Sequence, residues 1–170
     1  IAEAFDAVGG ESNAETGKEH TNYWARVLSE DTPMAVEVLG DMISASLIDP
    51  EEFEIERGVI LDELAMSEDN PLEVVHEAFQ LAVFGDNSLG RPVGGSAQTI
   101  RAVERDHVWD YYRRVYAPSS LIIVAAGDVN HDELVEQVQR SLYPTWAKEL
   151  EEKRVPHPRR STQGSWSSAG

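Results

Sequence analysis

The chain has 170 residues, enough for one domain with a core of its own. Asp and Glu number 31 against 14 Lys and Arg, a net charge of −17 that argues against nucleic acid or an anionic membrane as partner, since both need basic surface. There is no cysteine, which excludes disulfides, thiolate catalysis and Cys-based zinc sites.

In chain order, "IAEAFDAVGG" spaces Ile1, Phe5 and Val8 as a helix and closes on a Gly pair. The chain begins inside this expected helix, without Met, and is expected to be a piece of a longer protein; no signal peptide is visible. Thr21, Tyr23, Ala25 and Val27 then alternate with polar or aromatic neighbours, a strand pattern, with Gly17-Lys18 as the turn of a hairpin. Asp31 and Pro33 open a helix whose buried stripe is expected at Val36, Leu39, Met42, Ile43 and Leu47. Asp49-Pro50 open a second helix through Asp69, and Pro71 a third to about Phe84. "GDNSLGRPVGGSAQ" is a Gly-rich loop, and "RDHVWDYYRRVY" a helix stopped by Pro118. "SLIIVAAGD" is apolar on both parities and is expected to be a central strand buried on two sides. Asn130 and Glu133 suit a capping box at the start of a last helix. The polar stretch from residue 149 to 170 reads as a linker or truncated end, leaving residues 1–148 as the folded unit. The order α-β-β-α-α-α-α-β-α indicates an α+β fold, a mostly antiparallel sheet with helices packed on one face.

No apolar run approaches the roughly 20 residues of a membrane span. The acidity is uneven: residues 30–77 hold fifteen acids and one base, Arg57. Two of those acids stand out in "ERGVILDELAMSEDNP". With Ile55 at zero on a helical wheel, Met66 falls near ~20°, Val59 ~40°, Glu63 ~80°, Glu56 ~100° and Ile60 ~140°. Arg57, Asp62, Glu68 and Asp69 occupy the other side. Glu56 and Glu63 are therefore expected on an apolar arc, aimed into the fold, where an unpaired carboxylate is costly and a cation relieves it. The helix alone leaves the cation open: an Arg or Lys, a metal, or simple partial exposure.

"LGRPVGG" lacks the Gly-Lys-Ser/Thr ending of a phosphate loop, and no Asp-x-Asp-x-Asp-Gly calcium loop is present. The aromatics of "DYYRRVY" sit at helical spacing and read as core.

Taken in order, "IAEAFDAVGGESNAETGKEHTNYWARV", "ERGVILDE", "LGRPVGG", "YAPSSLIIVAAGD" and the final amphipathic helix resemble the N-terminal domain of the insulinase and pitrilysin (M16-type) zinc metallopeptidases. The bacterial homologues of the mitochondrial processing peptidase are the most similar branch, and the resemblance runs from Ile1 to about Trp146. It implies a zinc-dependent endopeptidase that hydrolyses peptides or unfolded segments with a metal-activated water. By position, Glu63 is similar to the family's third zinc ligand. Glu56 is similar to a second glutamate that supports the zinc helix. The family's His-x-x-Glu-His motif is absent: His20, His76, His107, His131 and His157 never pair at that spacing. In the family it precedes the first helix, so the remaining Zn2+ ligands are expected upstream of residue 1, and the chain alone is expected to be inactive. The alternative is a non-catalytic partner subunit that retains peptide binding.

The resemblance also makes "GGESNAETG" an edge strand to which substrate adds as a further strand. Asn13, Ala14 and Glu15 are the positions carried over. Glu15 departs from the aromatic or small residue usual there and would favour a basic substrate side chain, although a plain solvated edge explains it equally well. Implied partners are a peptide substrate and a related C-terminal domain or second subunit, as in a homodimer. The implied location is a bacterial cytoplasm.

Overall fold

The computed structural model describes residues 1–152. Helix α1 (Ala2–Asp6) leads into strands β1 (Glu11–Thr16) and β2 (Thr21–Arg26), which form an antiparallel hairpin. Helices α2 (Thr32–Ser44), α3 (Pro50–Glu68), α4 (Pro71–Phe84), α5 (Ala97–Ala102), α6 (Arg105–Val115) and α7 (His131–Glu152) follow. The fold is α+β, rich in helix. Residues 149–152 continue α7, so the expected polar linker begins inside a helix; residues 153–170 lie outside those described.

Local chemistry sets most boundaries. The Asp49 carboxylate accepts from the Glu51 and Glu52 amides at 2.8 and 3.3 Å, with Pro50 in the first turn of α3. Asn70 accepts from Leu72 N at 3.1 Å ahead of Pro71. Asn130 accepts from the Asp132 and Glu133 amides. Asp31 sits at the N-cap of α2 but makes no side-chain cap bond there, because residues 29–31 already form a 3-10 turn.

The tightest packing joins α2 to α7. A Cβ on Gly40 would run into Ser141 Oγ and lie 3.1 Å from Ser141 Cβ and 3.2 Å from Leu142 Cδ2, so a larger residue would force α7 side chains to shift. Ser141 Oγ donates to the Val36 carbonyl across the same contact, and Ala35, Leu142 and Trp146 are buried. Val36, Leu39, Met42 and Ile43 are half-buried as the stripe requires, whereas Leu47 lies past the helix end and is 78% exposed. Phe5 is the most buried large side chain.

The expected central strand is corrected. Residues 121–126 form no regular element and pair with no strand among the described residues, and Ile122 and Val124 are 87% and 83% exposed. The physical reason is that no strand lies at hydrogen-bonding distance among the described residues: this segment and β2 both line a groove of about 540 Å³, together with residues of α2 and α7. Helix α5 begins inside the stretch that the sequence presents as a Gly-rich loop. Its capping box pairs Ser96 with Thr99: Thr99 N donates to Ser96 Oγ, and Ser96 N to Thr99 Oγ1. No helix among the described residues is long and apolar enough to cross a membrane.

Candidate functional site

The hairpin register pairs Glu11 with Arg26, Asn13 with Trp24, Ala14 with Tyr23 and Glu15 with Asn22. At its end, Gly17 N donates to His20 O at 2.8 Å. Antiparallel pairs alternate between bonded and non-bonded. Counting back from Gly17, the backbones of Glu15, Asn13 and Glu11 face β2, and those of Thr16, Ala14 and Ser12 face the open edge. Of the three carried-over positions, Ala14 is thus the one whose N–H points outward. Asn13 Oδ1 accepts that N–H at 2.8 Å. The side chain covers a donor that a sheet edge otherwise leaves bare. Asn13, Ala14 and Glu15 are all exposed.

The hairpin is anchored at its middle and at its turn. Tyr23 and Tyr116 place their hydroxyls 2.9 Å apart and their rings edge to face. Burial pushes the Tyr23 hydroxyl above the ordinary tyrosine value, and its bond to Tyr116 adds to the rise. Tyr112 donates to the Ile43 carbonyl at 2.9 Å and accepts from Ser46 N at 3.1 Å; burial raises it as well. At the turn, the Lys18 ammonium donates to the Arg91 carbonyl.

Helix α3 corrects the expected orientation of both glutamates. Its protected face carries Phe53, Arg57, Ile60, Leu61 and Leu64, while Glu56 and Glu63 are exposed together with Ile55, Val59 and Met66. Arg57, expected on the charged face, has a side chain only 16% exposed. It donates to the carbonyls of Ile100 and Val103 and to Glu54, and it stacks on Phe53. The three bonding partners satisfy its fork, so this cation serves α5 and not the two glutamates. The bond to Arg57 holds the Glu54 carboxyl below its ordinary value. Among the described residues, neither Glu56 nor Glu63 forms an ion pair.

Glu63 lines a cavity of about 340 Å³ between α3 and α4, together with Lys18, Glu73, His76, Glu77 and residues 92–94. The structure therefore brings Glu63 and the hairpin turn onto one cavity; Glu56 and residues 13–15 do not line it. A catalytic zinc takes three protein ligands and keeps one open position. Among the described residues no group of three His, Asp or Glu is arranged to hold a metal. Glu63 fits the part of one oxygen donor and no more.

Residues 1–97 match the family model for insulinase, peptidase family M16, and residues 102–164 that for the peptidase M16 inactive domain. An uncharacterized zinc protease of Streptomyces coelicolor is 50% identical over 139 residues, 82% of this chain and 30% of that protein. One of Mycobacterium tuberculosis is 44% identical over the same share of this chain and 32% of its own length. The chain thus spans about a third of these relatives. The crystal structure of a protease from Helicobacter pylori superimposes with a TM-score of 0.82 over 92% of this chain and 38% of that one; at 20% identity the likeness is one of fold.

Proposed function

Because the chain belongs to the insulinase family of peptidases, family M16, we propose that it is the part of a zinc-dependent endopeptidase that aligns substrate and supplies one metal ligand. The observation that carries this reading is Glu63, an exposed carboxylate without an ion-pair partner among the described residues, on the same cavity as the turn of a hairpin whose β1 edge pairs with no further strand among them. When bound, zinc lowers the pKa of a coordinated water and polarises a carbonyl. Glu63 offers a carboxylate oxygen to it. Glu56 lies two helical turns earlier on the same face and is a positioning residue for a further ligand, which residues outside those described must contribute. The β1 edge takes a peptide or unfolded segment as an added strand, with the substrate carbonyl displacing Asn13 Oδ1 from the Ala14 N–H and with Asn13 and Glu15 beside it. Glu15 favours a basic side chain. A related domain or second subunit encloses the substrate.

The test is zinc content. In the full-length protein, Glu63→Gln is expected to lose tight zinc binding, read by atomic absorption after dialysis, with its fold retained by circular dichroism. Full occupancy in that variant would sink the assignment.

A further inference from the structure

Strand addition to β1 is useful only if the strand is held at a fixed height relative to the carboxylate on α3. We propose that Lys18 is the positioning residue that sets this height, an inference that rests on the peptidase reading above. Lys18 is half-buried, although Glu19 and His20 beside it are exposed. Its ammonium donates to the carbonyl of Arg91, 73 residues further along the chain. Among the described residues, no other hydrogen bond made by residues 11–20 leaves the hairpin.

The loop that Lys18 grips is itself braced. Asn87 Oδ1 accepts from Leu89 N and Gly90 N at 2.8 and 3.2 Å, Arg91 pairs with Asp86 at 3.0 Å, and Gly95 N donates to the Pro92 carbonyl. It also rests directly on α3. A Cβ added at Gly94 would lie 3.1 Å from Leu64 Cδ2, and Leu64 is the neighbour of Glu63. Lys18, Glu63, Pro92 and Gly94 all line the same cavity. Lys18 thus ties the hairpin turn to the loop of residues 86–95, and that loop meets α3 at Leu64, one residue from Glu63. Tyr23 holds the hairpin to α6 by its own bond. Without Lys18 the tip pivots about that anchor, and the edge strand is no longer presented at one height.

Lys18→Met keeps most of the aliphatic stem and removes the donor, while Lys18→Arg keeps a donor of similar reach. In the full-length protein, Lys18→Met is expected to raise KM for an unfolded peptide about tenfold, the scale of one lost charge-assisted hydrogen bond, with kcat changed less than about threefold. Affinity for the same peptide, measured by fluorescence anisotropy with metal chelated, is expected to fall in step. Lys18→Arg is expected to restore both. Amide exchange at residues 12–18 is expected to quicken in Lys18→Met while Tm stays unchanged. An unchanged KM in Lys18→Met, or an Arg variant as impaired as the Met variant, overturns the proposal. If the wild-type protein neither binds nor cleaves peptide, the peptidase reading fails on its own, and exchange decides the tether: quickened exchange supports it and unchanged exchange overturns it.

Discussion

The hydroxyls of Tyr23 and Tyr116 meet at 2.9 Å across 93 residues of sequence, joining the hairpin to the end of α6. Tyr23→Phe leaves the Tyr116 hydroxyl without this partner and is expected to destabilise the fold by about 1 kcal/mol in urea denaturation at pH 7. The pH dependence has a definite sign. An unfolded tyrosine loses its proton near about pH 10, whereas burial keeps the folded Tyr23 protonated to higher pH. Its contribution is complete below about pH 10 and lost as pH climbs through the raised folded value. The stability gap between wild type and Tyr23→Phe should therefore narrow above pH 10. A gap that widens there contradicts the assignment.

The outward N–H of Ala14 separates substrate binding from folding. Ala14→Pro removes a donor that the β1–β2 ladder does not use, and proline is tolerated on a strand edge where its nitrogen faces outward. Peptide affinity in the full-length protein is expected to drop by about tenfold, the loss of one main-chain bond. Tm is expected to move by only a few degrees. Asn13→Pro provides the contrast, since the Asn13 N–H faces β2. Equal unfolding by both substitutions would show the register of the edge to be otherwise.

Charge selectivity at Glu15 is tested with paired peptides, one carrying Arg near the scissile bond and one carrying Gln. The Arg peptide is expected to be cleaved with the higher kcat/KM, and Glu15→Gln to bring the two together. The side chain is exposed, so the effect is expected to be modest, about threefold to fivefold at low salt, and to shrink as ionic strength rises. Equal rates in wild type would leave Glu15 a solvated edge residue.

Gly40 is where two helices come closest. Gly40→Ala drives a methyl into Ser141 Oγ and is expected to cost about 2 kcal/mol. Removing the obstructing side chain in Gly40→Ala/Ser141→Gly is expected to recover part of that loss. Thermal melts of the two single variants and the double variant measure the coupling.

Much of the helical layout was legible because its signals are local. Asp49-Pro50 and Asn70-Pro71 carry both the cap and the stop in adjacent residues, and the structure starts α3 and α4 there. What failed depends on residues distant in sequence. The wheel places Glu56 and Glu63 on one arc, but periodicity does not say which arc is inside. Phe53, Leu61 and Leu64 meet the rest of the fold, so the arc with Ile55 and Met66 faces out. Arg57 reads as a surface charge until Ile100 and Val103 offer it carbonyls. Likewise, "SLIIVAAGD" has a strand's composition, but pairing needs a neighbour at hydrogen-bonding distance, and a groove lies there instead. For the site, the carried-over hairpin and the face shared by Glu56 and Glu63 could be read from sequence. The Lys18 contact with Arg91 could not, since nothing in either residue's neighbourhood announces a bond over that span.

The groove between β2 and residues 121–126 has a colloidal consequence. Each of its banks is a row of main-chain donors and acceptors without strand partners among the described residues. At a net charge of −17, copies of this stretch repel one another in dilute buffer. Added salt shortens the reach of that repulsion to about 8 Å at physiological ionic strength, while the unpaired main chain and the exposed Ile122 and Val124 remain available for association. Dispersions of the chain should thus be most monodisperse at low ionic strength and coarsen as salt is raised, the reverse of proteins whose association is driven by opposite charges.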